Sequence, residues 1–170
     1  FKKQEREFPL KFIDRESHYL WGRRYLMKIN YKKEKPSVLI SNKQIFLTVR
    51  PRSSKEKRKK IIHNWHKMLL YTYVCELIQK WERKLDVKVS GYFIRKMKTR
   101  WGSCNKSLGY IRLNTELVKK PKELVEYVVI HEMVHLIESK HNDHFIKILD
   151  KHSPFWRDAR SELNQLPLGC

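Results

Sequence analysis

The segment His131-Glu132-Met133-Val134-His135 constrains the fold more than any other feature of this chain, because its spacing has a clear purpose only on a helix. Residues four apart lie one above the other on an α-helix, so the two imidazoles point at one spot. Glu132 projects about 100° away from His131 around the helix axis, which leaves its carboxylate near that spot. The pattern predicts two metal ligands and a general base on one helix.

The flanking residues predict a long and mostly buried helix around this segment. Pro121 suits the first turn of a helix, where a missing N–H costs no hydrogen bond. Apolar residues then recur from Leu124 to Ile137 at helical spacing. The alternative is a core helix whose histidines are merely hydrogen-bonded. Two histidines at this spacing around a glutamate favour the metal site.

A third metal ligand must follow His135, because a catalytic zinc site takes three protein ligands and keeps one position open. Glu138 is a tempting choice, seven residues after His131. On a continuous helix, however, that spacing places Glu138 two turns further along, about 10 Å from His131 along the axis. The third ligand is therefore expected after the chain has left the helix.

Two histidines, His141 and His144, lie in the segment that follows. Asn142 or Asp143 is expected to cap the next helix, which leaves His141 in the turn and His144 in the first helical turn. We therefore predict one zinc ion per chain, bound by the two histidines of the motif and by His141. His144 is the alternative third ligand.

The spacing HExxHxxxxxH also occurs in metzincin peptidases, in which a glycine breaks the helix three residues after the second histidine and a methionine turn follows. In this chain Glu138 stands at the position of that glycine. No methionine follows Met133. Both differences argue against a metzincin.

Length and composition predict one domain, and the strands and helices expected along the chain make its fold class α+β. The chain has 170 residues, of which 41% are hydrophobic, so it can bury a core of its own. No apolar run approaches the roughly 20 residues that span a bilayer, and a soluble protein is expected. Cys75, Cys104 and Cys170 are odd in number and far apart, which favours a reducing cytoplasm over a disulfide scaffold. Because the chain begins at Phe1 rather than Met, further residues could precede it.

Turn signals and apolar patterns divide this single domain into three parts. Residues 1–52 are expected to form a charged arm, over about the first 15 residues, and then β-hairpins. Residues 53–86 are expected to form a long helix capped by Ser53 or Ser54. Residues 87–170 are expected to form the catalytic core. Its strands are predicted at residues 87–95 and 110–114.

The net charge of +20 arises in one part of the chain. Residues 1–110 contain 29 Lys and Arg against 9 Asp and Glu, whereas residues 111–170 contain 9 of each kind. A basic half of this kind can attract nucleic acid, although a solvated Lys-rich surface explains the charge equally well. The alternative function is therefore a nucleic-acid-associated protein whose zinc is structural or serves DNA-targeted proteolysis. Structural zinc sites usually have four ligands, often including Cys, and this comparison favours the enzyme.

Five further segments accompany the HExxH helix, and the one around Trp101 is much more specific than the HExxH pattern. They are Trp21-Gly22-Arg23-Arg24-Tyr25, Arg100-Trp101-Gly102-Ser103-Cys104, Ile111-Arg112-Leu113-Asn114, His141-Asn142-Asp143-His144-Phe145 and Pro154-Phe155-Trp156-Arg157. In this order the segments resemble the YgjP-like metallopeptidases, small zinc peptidases that are grouped with minimal gluzincins. The similarity extends over nearly the whole chain.

The resemblance implies a zincin-like metallopeptidase fold, with a small antiparallel or mixed sheet, a long backing helix and the HExxH helix at the active site. It implies zinc on His131, His135 and His141, with Glu132 as the general base and a peptide or protein as the substrate. Larger gluzincins have a further glutamate ligand on a downstream helix, and Glu162 stays open for that role.

The segment around Trp101 is expected to border the substrate cleft, because it precedes a strand against which an extended peptide can pair. We expect Arg100, Trp101 and Asn114 to line that cleft. Trp101 and Gly102 are also expected to pack tightly. Cys104 is expected to serve packing rather than catalysis.

Overall fold

The computed structural model describes residues 9–165, and these residues form two small sheets and four α-helices. The strands are β1 (Ser17–Leu20), β2 (Arg23–Tyr31), β3 (Ser37–Ser41), β4 (Gln44–Val49), β5 (Gly91–Arg95), β6 (Gly102–Asn105) and β7 (Tyr110–Asn114). The helices are α1 (Lys55–Leu85), α2 (Lys122–Val134), α3 (Asp143–His152) and α4 (Trp156–Gln165), with a short 3₁₀ helix at Thr115–Lys119. The first eight residues of the predicted arm and Cys170 lie outside the described residues.

The first sheet has the strand order β1-β2-β4-β3 and consists of two hairpins. Strands β1 and β2 pair antiparallel around the predicted glycine turn, and β3 pairs antiparallel with β4. The two hairpins are joined by parallel pairing of β2 with β4. The sheet is therefore mixed rather than purely antiparallel, because the chain crosses to the far edge of the sheet before it returns as β4.

Helix α1 is the long helix that the sequence predicts, 31 residues or about 46 Å in length. Ser54 caps its start, where the hydroxyl accepts a hydrogen bond from the Lys57 N–H. Asp86 ends it in a left-handed conformation, with φ of 52°. One side of α1 is buried along most of its length, so the helix forms the backing of both halves of the protein.

The second sheet has the order β5-β7-β6, with β5 parallel to β7 and β6 antiparallel to it. Strands β5 and β7 were predicted, but β6 was not, because the segment Gly102–Asn105 lacks the alternating apolar residues of a typical strand. Strand β6 lies at an edge of the sheet, next to α2. The distinctive Trp101 segment thus enters the fold as an edge strand beside the HExxH helix.

Two hydrophobic clusters form the core. The smaller one packs the first sheet against the start of α1, and the larger one packs α1 and the second sheet against α2, α3 and α4. Tyr25 and Trp65 contact both clusters. The two parts of the core are therefore continuous through these aromatic side chains.

A hairpin-to-helix junction links the first sheet to the start of α2. The backbone N–H groups of Trp21 and Gly22 donate to the carbonyls of Val118 (2.8 Å) and Lys119 (3.0 Å). Gly22 has φ of +76°, and a β-carbon there would lie 2.7 Å from the Cγ atom of Pro121. Position 22 therefore requires glycine both for the turn and for the close contact with Pro121, the residue before α2.

The predicted α+β class is confirmed, with a small sheet in each half and a long backing helix. Within residues 9–165, no helix combines the length and the apolar character that crossing a bilayer requires.

Candidate metal centre and adjoining cavity

Helix α2 carries the HExxH segment and ends within it. The last helical residue is Val134, and His135 occupies the C-terminal cap. The N–H groups of Leu136 and Ile137 donate to the carbonyls three residues earlier, which tightens the chain into a turn. The prediction that the helix continues to Ile137 is therefore wrong. Glu138 does not stack two turns along a continuous helix, and the chain leaves the helix sooner than expected.

This early turn fixes the orientation of His135. The backbone carbonyl of Glu138 lies 3.1 Å from the Nδ1 atom of His135. A carbonyl oxygen can only accept, so Nδ1 carries the proton and donates. The Nε2 atom is then left with a free lone pair, which is the arrangement that metal-binding histidines use.

Three histidines converge at the end of α2. The Nε2 atom of His141 lies 3.2 Å from Nε2 of His131 and 3.0 Å from Nε2 of His135. Two nitrogens bound tetrahedrally to zinc at 2.0–2.1 Å would be about 3.3 Å apart, close to these separations. In the part of the chain that the structure describes, no other group of three or more His, Cys, Asp or Glu side chains is gathered closely enough to hold an ion.

The protonation state of these histidines suits a metal. Burial lowers the pKa of His131 to about 3, and the neighbouring histidines act in the same direction. Burial also lowers the pKa of His135, although the Glu138 carbonyl opposes that effect. The hydroxyl of Tyr127 lies 3.4 Å from Nδ1 of His131. Both histidines are therefore neutral near pH 7, and neutral imidazole is the form that binds a metal. The donor set fits a zinc ion.

His144, the alternative third ligand, lies apart from this group. It occupies the first turn of α3, which Asn142 caps by accepting from the Phe145 N–H. The His144 side chain is 60% exposed, and its Nδ1 atom is 3.6 Å from a carboxylate oxygen of Glu138. Glu162, which the resemblance left open, is exposed on α4 and also lies outside the histidine group.

Glu132 is buried beside the histidine group, with 7% of its surface exposed. Burial raises the pKa of its carboxyl to about 8, and the charge of Arg100 opposes the increase. A cation bound by the histidines would also favour the ionised carboxylate. The pKa of Glu132 therefore lies close to neutral pH and changes with the charges around it, which suits a general acid or base.

Strand β6 approaches α2 unusually closely at Gly102. A β-carbon at this position would lie 2.9 Å from the Cγ atom of Glu132 and 3.1 Å from the Cγ1 atom of Val128. Only glycine fits there without displacing a neighbour. The expected tight packing of Gly102 is confirmed, and its contact partner is the side chain of Glu132.

A cavity of about 230 Å³ opens next to Glu132 and His131. Its walls come from the residues around the start of β6, from α2 and from α4. They are formed by Arg100, Trp101, Gly102, Tyr127, Val128, His131, Glu132, Arg160, Leu163 and Asn164. Two of the three residues expected in the substrate cleft, Arg100 and Trp101, therefore lie together beside the histidine group.

Asn114, the third residue expected in the cleft, is fully buried and does not line this cavity. Its side-chain nitrogen donates to the carbonyls of Met97 and Arg100, both at 2.9 Å. Its side-chain oxygen accepts from the Glu116 N–H at 3.1 Å. Asn114 thus shapes the loop that carries Arg100, because every polar group of its amide is used inside the protein.

Three lining residues on α4 were missed by sequence reasoning: Arg160, Leu163 and Asn164. Arg160 and Asn164 are four residues apart, so the sequence does place them on one helix face. It does not show which element that face adjoins. The position of α4 against α2 depends on tertiary packing.

Cys104 is half-buried on β6 near Glu132. Burial raises the pKa of its thiol to about 11, and the negative charge of Glu132 adds to the effect. The thiol therefore stays protonated near pH 7, which agrees with the expected packing role rather than a reactive one.

Two crystal structures of metallopeptidase zymogens are similar to this chain. Abylysin of Pyrococcus abyssi is 22% identical, with 53% of this chain and 90% of that one covered and a TM-score of 0.49. Jannalysin of Methanocaldococcus jannaschii is 19% identical, with 56% and 94% covered and a TM-score of 0.45. Among curated protein sequences, none matches this chain.

The family model of the YgjP-like metallopeptidase domain matches residues 1–166. The resemblance seen in the sequence is thereby confirmed, and the chain belongs to the YgjP-like metallopeptidase family.

Proposed function

We propose that this chain is a zinc-dependent peptidase, with His131, His135 and His141 as the metal ligands and Glu132 as the general base. The observation that carries the proposal is the convergence of three Nε2 atoms beside a buried glutamate that lines a cavity. Membership of a metallopeptidase family supports hydrolysis of a peptide bond.

The donor set supports a catalytic rather than a structural site. Structural zinc sites are usually closed by four protein ligands, whereas catalytic sites have three and leave a position open. The group here consists of three imidazoles, and Cys104, the nearby thiol, is held in its protonated form. When bound, zinc would supply Lewis acidity that polarises the scissile carbonyl and makes a water molecule more acidic.

Glu132 performs the proton transfers in this proposal. Its carboxylate accepts a proton from the water molecule whose oxygen attacks the carbonyl carbon. It then delivers that proton to the amine nitrogen as the carbon–nitrogen bond breaks. Burial beneath β6 keeps the carboxylate from turning away towards bulk water.

The edge strand β6 offers a place for an extended peptide substrate. Strand β7 pairs with one side of β6, and the sheet order leaves the other side at the edge. A peptide that adds to this edge as a further strand passes close to Glu132, because Gly102 of β6 contacts that side chain. The substrate in this proposal is a peptide or an unfolded protein segment.

The nucleic-acid alternative gains no support from this site. Nucleic-acid binding through residues 1–110 and a cytoplasmic location stay predictions from the sequence. Zinc that serves only a structural role would not require a buried glutamate beside it.

The test compares bound zinc with peptide cleavage in three variants. We expect Glu132→Gln to keep about one zinc per chain while kcat/KM falls on the order of 10²- to 10⁴-fold, the usual contribution of a general base. We expect His135→Ala to lose both zinc and activity. Glu123→Gln, at an exposed position in the first turn of the same helix, is the matched control and should behave as wild type. Full activity of zinc-loaded Glu132→Gln would refute the assignment.

A further inference from the structure

Two arginines on the wall of the cavity have unused hydrogen-bonding capacity. Arg100 precedes β6 and Arg160 lies on α4, and both side chains are exposed. Neither guanidinium makes a hydrogen bond or an ion pair with any residue between 9 and 165. By contrast, Arg157 on the same helix pairs with Asp150 at 2.6 Å. Arg100 and Arg160 are therefore free to bind something that enters the cavity.

Among residues 9–165, the lining of the cavity includes one carboxyl group, that of Glu132. This side chain is buried against β6 and is assigned to proton transfer. Arg100 and Arg160 line the same cavity as His131 and Glu132. A substrate held beside these two residues is therefore within reach of both guanidiniums.

The rest of the wall suits a short side chain that ends in a carboxylate. Asn164 follows Arg160 by four residues, so its amide faces the same way and can donate a further hydrogen bond. Trp101, Val128 and Leu163 provide apolar surface for an aliphatic stem. Arginine is well suited to a carboxylate, because its planar guanidinium can donate two parallel hydrogen bonds to the two oxygens.

We infer that this cavity binds a substrate carboxylate through Arg100, Arg160 and Asn164, so that the enzyme selects peptides with an acidic group next to the scissile bond. The inference rests on the proposed peptidase function and names its substrate class. The acidic group is the side chain of Asp or Glu, or the free carboxylate of a C-terminal residue. These two sources share one chemistry and are separated by the experiment.

The experiment uses zinc-loaded, full-length protein and pairs of peptides. Each pair has Asp or Glu at one position beside the scissile bond in the first peptide and Asn or Gln in the second. Every peptide is made with a free and with an amidated C-terminus. We expect wild type to cleave the acidic member about tenfold faster in kcat/KM, as a charge-assisted hydrogen bond to arginine implies. A preference that survives amidation identifies the side chain, and one that amidation abolishes identifies the C-terminal carboxylate.

Variants of the cavity residues test whether the preference for acidic peptides arises in this cavity. Arg160→Gln and Arg100→Gln should each reduce the ratio of kcat/KM for the acidic peptide to kcat/KM for its neutral partner to less than about threefold. Arg160→Glu should reverse it in favour of Lys and Arg peptides. Arg157→Gln on the same helix and Lys98→Gln in the loop before Arg100 are matched controls outside the cavity, and both should retain the preference. Thermal melting verifies that each variant is folded.

Equal cleavage of acidic and neutral peptides by wild type would overturn the inference, as would an unchanged preference in both Arg160→Gln and Arg100→Gln. If wild type cleaves no peptide, the proposed function has failed separately. The affinity of zinc-loaded Glu132→Gln for the same peptides, measured by calorimetry, then decides the inference alone. Tighter binding of the acidic member, lost on adding Arg160→Gln, supports it, and equal binding of both members refutes it.

Discussion

The α-carbon of Gly102 comes so close to Glu132 that a β-carbon there would lie 2.9 Å from the Cγ atom of Glu132. Val128 closes the space on another side at 3.1 Å. We therefore expect Gly102→Ala to displace the glutamate side chain and to lower kcat/KM by about tenfold or more. Bound zinc should stay near one per chain, because the histidines are not touched. Metal analysis and peptide cleavage measure the two effects.

Gly91→Ala is the matched control for this prediction. Gly91 is also a strand glycine without a left-handed backbone, but its added β-carbon would meet only the Tyr110 ring at 3.3 Å. That contact needs a small adjustment of the ring, so activity should change less than about twofold. Wild-type activity of Gly102→Ala would show that the close approach does not position Glu132.

The position of His141 against that of His144 predicts which of the two binds the metal. His141→Ala should lose zinc, because its Nε2 atom lies within 3.2 Å of both other histidine nitrogens. His144→Ala should keep about one zinc per chain, since its side chain faces Glu138 and solvent. Metal content after dialysis against a weak chelator distinguishes the two variants. Equal zinc loss in both would reopen the identity of the third ligand.

His66 on α1 predicts a loss of stability in acid. Its side chain is 5% exposed and burial lowers its pKa to about 3. Its Nε2 atom has no hydrogen-bond partner among residues 9–165. The unfolded chain therefore takes up a proton between about pH 6.5 and pH 3, while the folded chain does not. The contribution of His66 to stability is present above pH 6.5 and decreases as the pH falls through this range. From pH 7.5 to pH 5 the loss is about 2 kcal/mol.

Urea denaturation of metal-free protein tests this expectation. The pH dependence between 7.5 and 5 should be smaller by about 2 kcal/mol in His66→Leu than in wild type. His66→Gln provides a second variant that cannot titrate, in case leucine fits poorly. Between pH 8.5 and pH 7.5, where His66 is neutral in both states, variants and wild type should change in parallel. An identical acid response in all three proteins would exclude His66 as the cause.

Asn114 supports the loop that carries Arg100, and its removal should disturb both stability and selectivity. Asn114→Ala leaves the carbonyls of Met97 and Arg100 without their donor and the buried Glu116 N–H without its acceptor, which costs about 1–3 kcal/mol. The released loop should also weaken the expected preference for acidic peptides. Asn105→Ala, at the exposed end of β6, removes one hydrogen bond from the Leu108 N–H; it is the control and should cost at most about 1 kcal/mol. Thermal unfolding and the paired peptides measure both consequences.

Local patterns account for the parts of the fold that the sequence predicted. The helical repeat of apolar residues along α1 and the Ser54 cap are local, as are the turns between β1 and β2 and between β3 and β4. The spacing of His131 and His135 is local as well. Each of these features depends on residues within a few positions of one another, so elementary stereochemistry is enough to anticipate it.

The features that were missed depend on contacts between distant segments. Parallel pairing of β2 with β4 bypasses the strand between them, and β6 becomes a strand only because β7 lies beside it. The helix was expected to continue past His135, since apolar residues persist there, but the Glu138 carbonyl turns back to bind His135 instead. Arg160 and Asn164 reach the cavity only through the packing of α4 on α2.

The hairpin-to-helix junction couples the folding of the first sheet to that of the HExxH helix. Trp21 and Gly22 bind the backbone just before α2, about 110 positions ahead of the metal-binding histidines in the chain. The two core clusters also meet at Tyr25 and Trp65. Unfolding is therefore expected to be one cooperative transition, with no stable half left behind. We therefore expect that residues 87–170 expressed alone would not form a stable peptidase. The backbone just before α2 would lack the hydrogen bonds that Trp21 and Gly22 donate to it.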